Sequence, residues 1–352
     1  MGFISLVITA FVYACKYWIL HGVFGQIEAD VMHHADVYLL IVTASIPFIA
    51  LYNGGAAVFR AMGNSEVSMR VSLLMNAINV SGNAILIYGF HCGTEGVAIP
   101  TLVSRFVAAF IIIKLLLKDK WSLHLERTFR FNPDWSMIRK ILSVGIPNGL
   151  ENSMFQLGKV LVLSLVSTFG TYAIAANAVS NVITLFSILP GQAICLAVTT
   201  VIARCVGAGD YEQAKYYNKK LILLTHIGMA ITIFIVFITL PFILKVYNLS
   251  EAASEATRHI IWFHGFCAIL IWAESFTLPA TFRACGDAKA CMIISTVSMW
   301  IFRVGASYIL GKNLGLGVFG VWVAMIIDWA FRSLLFGIRY FSGKWKKHAL
   351  VS

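Results

Sequence analysis

Charge is what this sequence has least of. Only 12% of its 352 residues are charged, about half the share found in soluble domains. A deficit spread along the whole chain excludes a soluble globular fold, and no separate soluble domain is expected. The seven cysteines (Cys15, Cys92, Cys195, Cys205, Cys267, Cys285 and Cys291) form no C-x-x-C pair. Most lie in apolar runs and read as small buried hydrophobes. No His/Cys cluster has metal-ligand spacing, and no G-x-x-x-x-G-K-[ST] loop exists. Metal chemistry and ATP drive therefore lack their motifs. No nucleophile–base set appears either, so an enzyme is not expected. The first twenty residues lack a basic n-region and a small-residue cleavage site. They read as a span, not as a cleaved signal.

Apolar residues are abundant instead, at 59% of the chain. A helix crosses the hydrocarbon core with about 20 mostly apolar residues. Such runs predict ten spans, over 1–22, 38–59, 69–90, 96–117, 141–169, 173–203, 220–245, 257–282, 291–311 and 317–340. The fifth and sixth exceed what a bilayer needs, which predicts tilt or bending.

The net charge of +11 is a matter of placement. Assigning loops alternately puts eighteen Lys and Arg on one side: Arg60, Arg70, Lys118, Lys120, Arg127, Arg130, Arg139, Lys140, Arg204, Lys215, Lys219, Lys220, Arg283, Lys289, Arg339, Lys344, Lys346 and Lys347. The other side holds Arg258 and Lys312. Eighteen against two is a positive-inside signal. It makes both termini cytoplasmic and leaves no role for nucleic acid. Membrane lipid is the expected partner of the basic side. His33 and His34 are placed in a solvated outer loop.

The chain repeats itself. Residues 57–69 read AVFRAMGNSEVSM and residues 280–292 read ATFRACGDAKACM. Each Phe-Arg-Ala-x-Gly closes an apolar run at the same predicted side. Gly96 and Gly320 then pair at nearly the same offset. The copies are parallel in topology, the arrangement in which transporters place substrate between two halves. Residues 137–223 hold two spans with no upstream partner in this numbering. A symmetric molecule would have twelve spans, so a pair of helices is expected to be missing before Met1.

The most specific stretches are GIPNGLENSMFQLG (145–158), FGTYAIAANAVSN (169–181), LPGQAICLAVTTVIARCVGAGDYEQAKYY (189–217) and LGLGVFGVWVAMIIDWAFRSLLFGIRYFSGKW (314–345). With the two Arg-x-x-Gly boxes, they resemble the multidrug and toxic compound extrusion (MATE) transporters over almost the whole chain. The resemblance implies an all-α polytopic membrane protein with two pseudo-symmetric bundles. Here the bundles would hold four and six spans, where the family has six and six. The expected domains are an N-terminal bundle (1–120), a basic linker (121–140), a six-helix bundle (141–345) and a tail (346–352). The absent pair would be the family's first two helices. In many members the first of these carries an acidic residue implicated in ion coupling.

Ionisable groups within spans are functional candidates by default. Glu151 lies four residues after Pro147 and near Asn152, Gln156 and Lys159. A carboxylate beside amides suits ion capture or a cationic substrate. A Glu151–Lys159 structural pair, or a headgroup-level Glu151, is the plainer reading. Asp328 has Arg332 one turn later, which suits either coupling or a structural ion pair. Glu274 lies deep in the eighth span. Arg303 and Arg105 are expected partners for such acids. Asn177 and Asn181 are one turn apart in the sixth span, followed by Gln192, and Asn76, Asn79 and Asn83 share a face. These amides suit substrate contact and interhelical bonds equally. Trp300 and Phe186 could face a cationic drug or merely pack. Arg60 and Arg283 read as anchors at the inner face. The segment 207–215 reads as a turn followed by a helix that begins with Asp210 and Glu212.

The expected function is efflux of small cationic organic compounds by alternating access. Na⁺ or H⁺ would be the coupling ion, with no other cofactor. The expected protein is a monomer in a bacterial cytoplasmic (inner) membrane. A flippase for a lipid-linked precursor, which would want a basic cavity, and an inactive truncated remnant are the alternatives.

Overall fold

The computed structural model describes residues 2–18, 20, 29–125 and 134–348. Arg127 and Arg130 of the basic linker lie outside these residues, as do 21–28 of the first outer loop and 349–352 of the tail. Among the described residues every regular element is a helix, without a strand. We label the long helices α1 (Gly2–Ala14), α2 (Asp30–Ala61), α3 (Ser65–Gly89), α4 (Glu95–Leu116), α5 (Trp135–Ser167), α6 (Thr171–Gly207), α7 (Tyr211–Tyr247), α8 (Glu251–Ala284), α9 (Ala288–Asn313) and α10 (Gly317–Phe341). Eight of them, α2–α4 and α6–α10, are long and apolar enough to cross a bilayer. Ten helices lie where the ten spans were expected, and eight meet that measure among the described residues. At 13 residues α1 is short. At 33 residues α5 is long enough, but it carries Arg139, Lys140, Glu151 and Lys159 among amides.

Solvent preference is inverted, as lipid demands. Phe242 and Leu270 are each 71% exposed, while Thr281 and Ser298 are fully buried. Hydroxyls bond to carbonyls of their own helix, as Thr225 Oγ1 does to Leu221 O at 2.9 Å. No water is needed to satisfy them.

Helix starts follow capping chemistry. Asp134, Asp210 and Ser250 accept hydrogen bonds from the amides of Met137, Gln213 and Ala253 at the starts of α5, α7 and α8. The turn at 207–209 and the helix from Tyr211 are thus found as expected. The second helix starts earlier than expected. His33 and His34 lie on its first turns rather than in a loop, because nothing between Asp30 and Ala44 breaks a helix and Asp30 suits its N-terminus.

The chain divides into two compact units, Met1–Phe131 and Asn132–Ser352. In the first, Tyr52, Phe59, Val71 and Ile112 form the core. In the second, one cluster gathers Val166, Met229, Trp272, Trp322 and Trp329. Another gathers Ile202, Phe282, Phe336 and Trp345.

The repeated box is a helix terminator. Gly63 and Gly286 have φ of 83° and 85°, a conformation that glycine alone adopts cheaply. In the first copy the Asn64 amide donates to Phe59 O at 2.9 Å, and in the second Asp287 donates to Phe282 O at 2.8 Å. These are the 6→1 bonds of a Schellman end. Phe59 and Phe282 are both fully buried. Glycine recurs because the backbone turns left there, and Phe because it anchors the turn in a core.

Three π segments widen the helices of the second unit, at Ala273–Thr277 in α8 and at Met299–Gly305 and Tyr308–Asn313 in α9. Pro279 cannot donate to the carbonyl four residues back, which loosens α8 at that point. Such segments often occur at functional sites. Two of these carry Glu274 and Arg303.

Candidate functional site

A cavity of about 990 Å³ opens within the second unit, bounded by α5, α6, α8, α9 and α10. Its charged lining residues are Lys159, Arg283 and Arg303, and its walls include Trp272, Trp322 and Trp329. A recess of about 220 Å³ continues along Lys159, Asn177 and Arg303. Another of about 200 Å³ lies at Glu151, Arg283 and Arg332. Among the described residues, no carboxylate lines the large cavity. The expected cavity held acids as well as bases; of the candidate acids, Glu151 lines only the adjoining recess. The acids are present, but each is turned to a basic partner.

Glu151 on α5 is 9% exposed. Nη2 of Arg283, on α8, donates to its two carboxylate oxygens at 2.7 and 2.8 Å. Lys159 is not its partner. Eight residues of helix separate Glu151 and Lys159 by about 12 Å along the axis, too far for a direct bond. Arg283 is also not the headgroup anchor expected of it. It turns inward to line the cavity, and its Nε has no hydrogen-bond partner among the described residues.

Asp328 and Arg332 pair as their spacing suggests. Arg332 Nε donates to Asp328 Oδ1 at 2.9 Å, with the two residues 2% and 0% exposed. Ser298 Oγ donates to the same oxygen. Among the described residues, Asp328 Oδ2 and Arg332 Nη2 are left without partners. Neither residue lines the large cavity, although Arg332 reaches the Glu151 recess.

Glu274 faces away from the cavity. Its Oε1 lies 3.0 Å from Nε2 of His226 on α7, whose Nδ1 lies 2.6 Å from Ile269 O. A carbonyl only accepts, so Nδ1 carries a hydrogen. The Nε2–Oε1 contact then holds a second proton, on one atom or the other. His226 was not legible as a partner, since nothing in the local sequence links 226 to 274.

Phe155 organises the basic residues. Lys159 Nζ, Arg303 Cζ and Arg332 Cζ lie 5.1, 5.3 and 5.2 Å from its ring centroid. Arg303 sits on the π segment of α9 and forms no ion pair among the described residues, and its Nε has no partner. The expected acid partner of Arg303 is thus not in contact. Arg105, in the first unit, bonds Ser45 Oγ at 2.6 Å rather than an acid.

The amides divide between packing and lining. Asn177 accepts from Trp322 Nε1 at 3.2 Å, and Asn181 donates to Asn177 O at 2.7 Å while lining the cavity. Asn152 donates to Asn148 O at 2.8 Å at the edge of the Glu151 recess. Gln156 is exposed and lines none of these spaces. Gln192 lines the large cavity, and neither Trp300 nor Phe186 does. In the first unit Asn79 donates to Thr101 Oγ1 at 3.0 Å and Asn83 to Asn79 at 3.4 Å. His264, unremarked in the sequence, is buried edge-on to Trp322 and Trp329 at 5.5 and 5.2 Å.

Comparison with known proteins gives a consistent result. The MatE family model matches residues 1–85 and 147–309. The chain is 26% identical over 339 residues to the probable multidrug resistance protein NorM of Thermotoga maritima, covering 95% of this chain and 72% of that one. It is 28% identical over 352 residues to the uncharacterized transporter YisQ of Bacillus subtilis, covering 97% and 75%. Its fold matches an outward-facing multidrug resistance MATE family transporter of the MOP superfamily, with TM-score 0.88 and 19% identity over 98% of this chain and 78% of that one. A MOP superfamily transporter from Pyrococcus furiosus, described as having a binding pocket of reverse polarity, matches with TM-score 0.87 and 20% identity over the same shares.

Proposed function

Because the chain belongs to the multidrug and toxic compound extrusion family, MatE, we propose that it is a secondary active efflux transporter. It exchanges Na⁺ or H⁺ for small organic compounds by alternating access in a bacterial cytoplasmic membrane, with both termini on the cytoplasmic side. The observation that carries the coupling step is the Glu151–Arg283 pair. A proton or Na⁺ on the Glu151 carboxylate competes with Arg283 for the same oxygens. Its arrival frees the arginine from α5 and weakens the tie between α5 and α8. An ion drives a conformational change only through different affinity for the two states, and a carboxylate that must exchange partners supplies such a difference.

The relatives called multidrug resistance proteins favour drug-like organic cargo. The basic lining favours a second reading, a flippase for a lipid-linked anionic precursor. Expression in a drug-sensitive bacterium separates these. Efflux predicts raised resistance to at least one organic compound, lost in Glu151→Gln at equal membrane levels. Unchanged resistance across a chemically broad panel would refute efflux.

A further inference from the structure

The lining of the second unit's cavity carries a charge imbalance. Four guanidinium or ammonium groups surround it and its recesses: Lys159, Arg283, Arg303 and Arg332. Two carboxylates face them, Glu151 on Arg283 and Asp328 on Arg332. Glu274 is spent on His226. Lys159 and Arg303 remain without a carboxylate in contact among the described residues. Asp328 attracts Arg303 only at longer range, while Arg303 itself opposes Lys159. Both lie near the Phe155 ring, which offers cation–π attraction. A neutral ring does not neutralise a charge, and it has two faces for three cations.

We infer that this cavity binds an aromatic organic anion, with its charge held between Lys159 and Arg303 and its ring laid against Trp322 and Trp329. Lys159 is exposed and Arg303 half-buried, and an anion entering between them supplies the charge-assisted partner that neither has. Arg303 lines both the cavity and the recess that it shares with Lys159. The walls set the rest of the ligand. His264 meets Trp322 and Trp329 edge-on, and Met325 and Phe276 line the same cavity. A cavity of about 990 Å³ is at the upper end of the drug-sized range. As a statement about cargo, the inference rests on the efflux reading above. As a statement about binding, it stands alone.

Purified full-length protein in a neutral detergent would be titrated calorimetrically with naphthalene-2-sulfonate, the matched trimethyl-2-naphthylammonium cation, and inorganic pyrophosphate. The sulfonate is expected to bind tightest. Arg303→Gln and Lys159→Gln should each weaken it by about tenfold or more, the factor for one charge-assisted contact, with melting behaviour retained. Arg303→Lys should restore binding to within a few-fold, which a merely structural arginine would not allow. Tighter binding of the cation, or sulfonate affinity unmoved by both neutral variants, overturns the inference. Tighter binding of pyrophosphate overturns it in favour of a phosphate headgroup. A proteoliposome arm keeps the two readings apart. Sulfonate that binds but is never transported overturns the inference as a statement about cargo and leaves it intact as one about binding, while the resistance panel alone decides efflux. A cation that is transported while no anion binds overturns the inference in both senses.

Discussion

Arg283 grips both carboxylate oxygens of Glu151 across 132 residues of sequence, with a single Nη2 donating to each at 2.7 and 2.8 Å. The pair joins the middle of α5 to the end of α8, directly before the glycine turn of the repeated box. Removing one member of a buried ion pair strands the other and costs about 3–5 kcal/mol, whereas removing both costs far less. Arg283 retains partial access to the cavity, so the lower part of that range applies here. Arg283→Gln and Glu151→Gln should each lower the melting temperature in detergent, and the double variant should recover most of the loss. Additive losses in the double-mutant cycle would show that the contact carries no coupling.

Asp328 and Arg332 lie deeper, and the repeat shows what they replace. At the offset of 224 set by Gly96 and Gly320, Asp328 corresponds to Ser104 and Arg332 to Ala108, both buried in the first unit. One copy fills the register with small neutral side chains and the other with an ion pair. Asp328→Ala should therefore destabilise by about 3–5 kcal/mol, because it leaves Arg332 charged and buried. Asp328→Ser combined with Arg332→Ala rebuilds the first copy's solution and should be markedly milder. Chemical or thermal unfolding of the two variants side by side decides this.

Much of the architecture was legible because bilayer crossing writes itself in composition. The long apolar runs and the twin boxes follow from local sequence. The pairing of charges did not. Glu151 has Lys159 on its own face of α5, and nothing local says that an arginine 132 residues away takes it instead. His226 reads as a lone histidine in an apolar helix until α8 brings Glu274 to it. Arg303 was expected to meet an acid, but its π segment aims it at Phe155. Helix ends, caps and charge-free spans are set by neighbours in sequence. Salt bridges across a bundle are set by helix rotation and by π turns, which no periodicity records.

The box glycines make a paired prediction. Both lie at φ near 84°, at 83° and 85°, where an L-residue pays about 1–2 kcal/mol. Gly63→Ala and Gly286→Ala should each destabilise by about that amount, and Asn at either site should cost less, since Asn tolerates the left-handed region. Melting curves of the four single variants provide the check. Equal losses at the two sites would confirm a shared local role. A loss confined to Gly286 would mean that the second box matters only through Arg283.

The His226–Glu274 contact predicts an unusual ranking of substitutions. Its geometry places one proton between Nε2 and Oε1, with the other ring nitrogen committed to Ile269 O. Glu274→Gln keeps that arrangement. The amide donates its own hydrogen to Nε2, and the ring stays neutral with Nδ1 still bonded to the carbonyl. The change should therefore cost less than about 1 kcal/mol, the net worth of an ordinary hydrogen bond. Glu274→Ala and His226→Ala each leave a polar partner unsatisfied between α7 and α8, which costs about 1–3 kcal/mol. Thermal unfolding across pH adds a second discriminator. If the shared proton sits on the histidine as an imidazolium–carboxylate pair, the wild type should lose stability as pH rises through the histidine's folded titration. Glu274→Gln, which lacks the carboxylate that would hold that imidazolium, should lose less over the same rise. A Gln variant as damaged as the Ala variants, with the same pH profile as wild type, would place the proton and the role of this pair elsewhere.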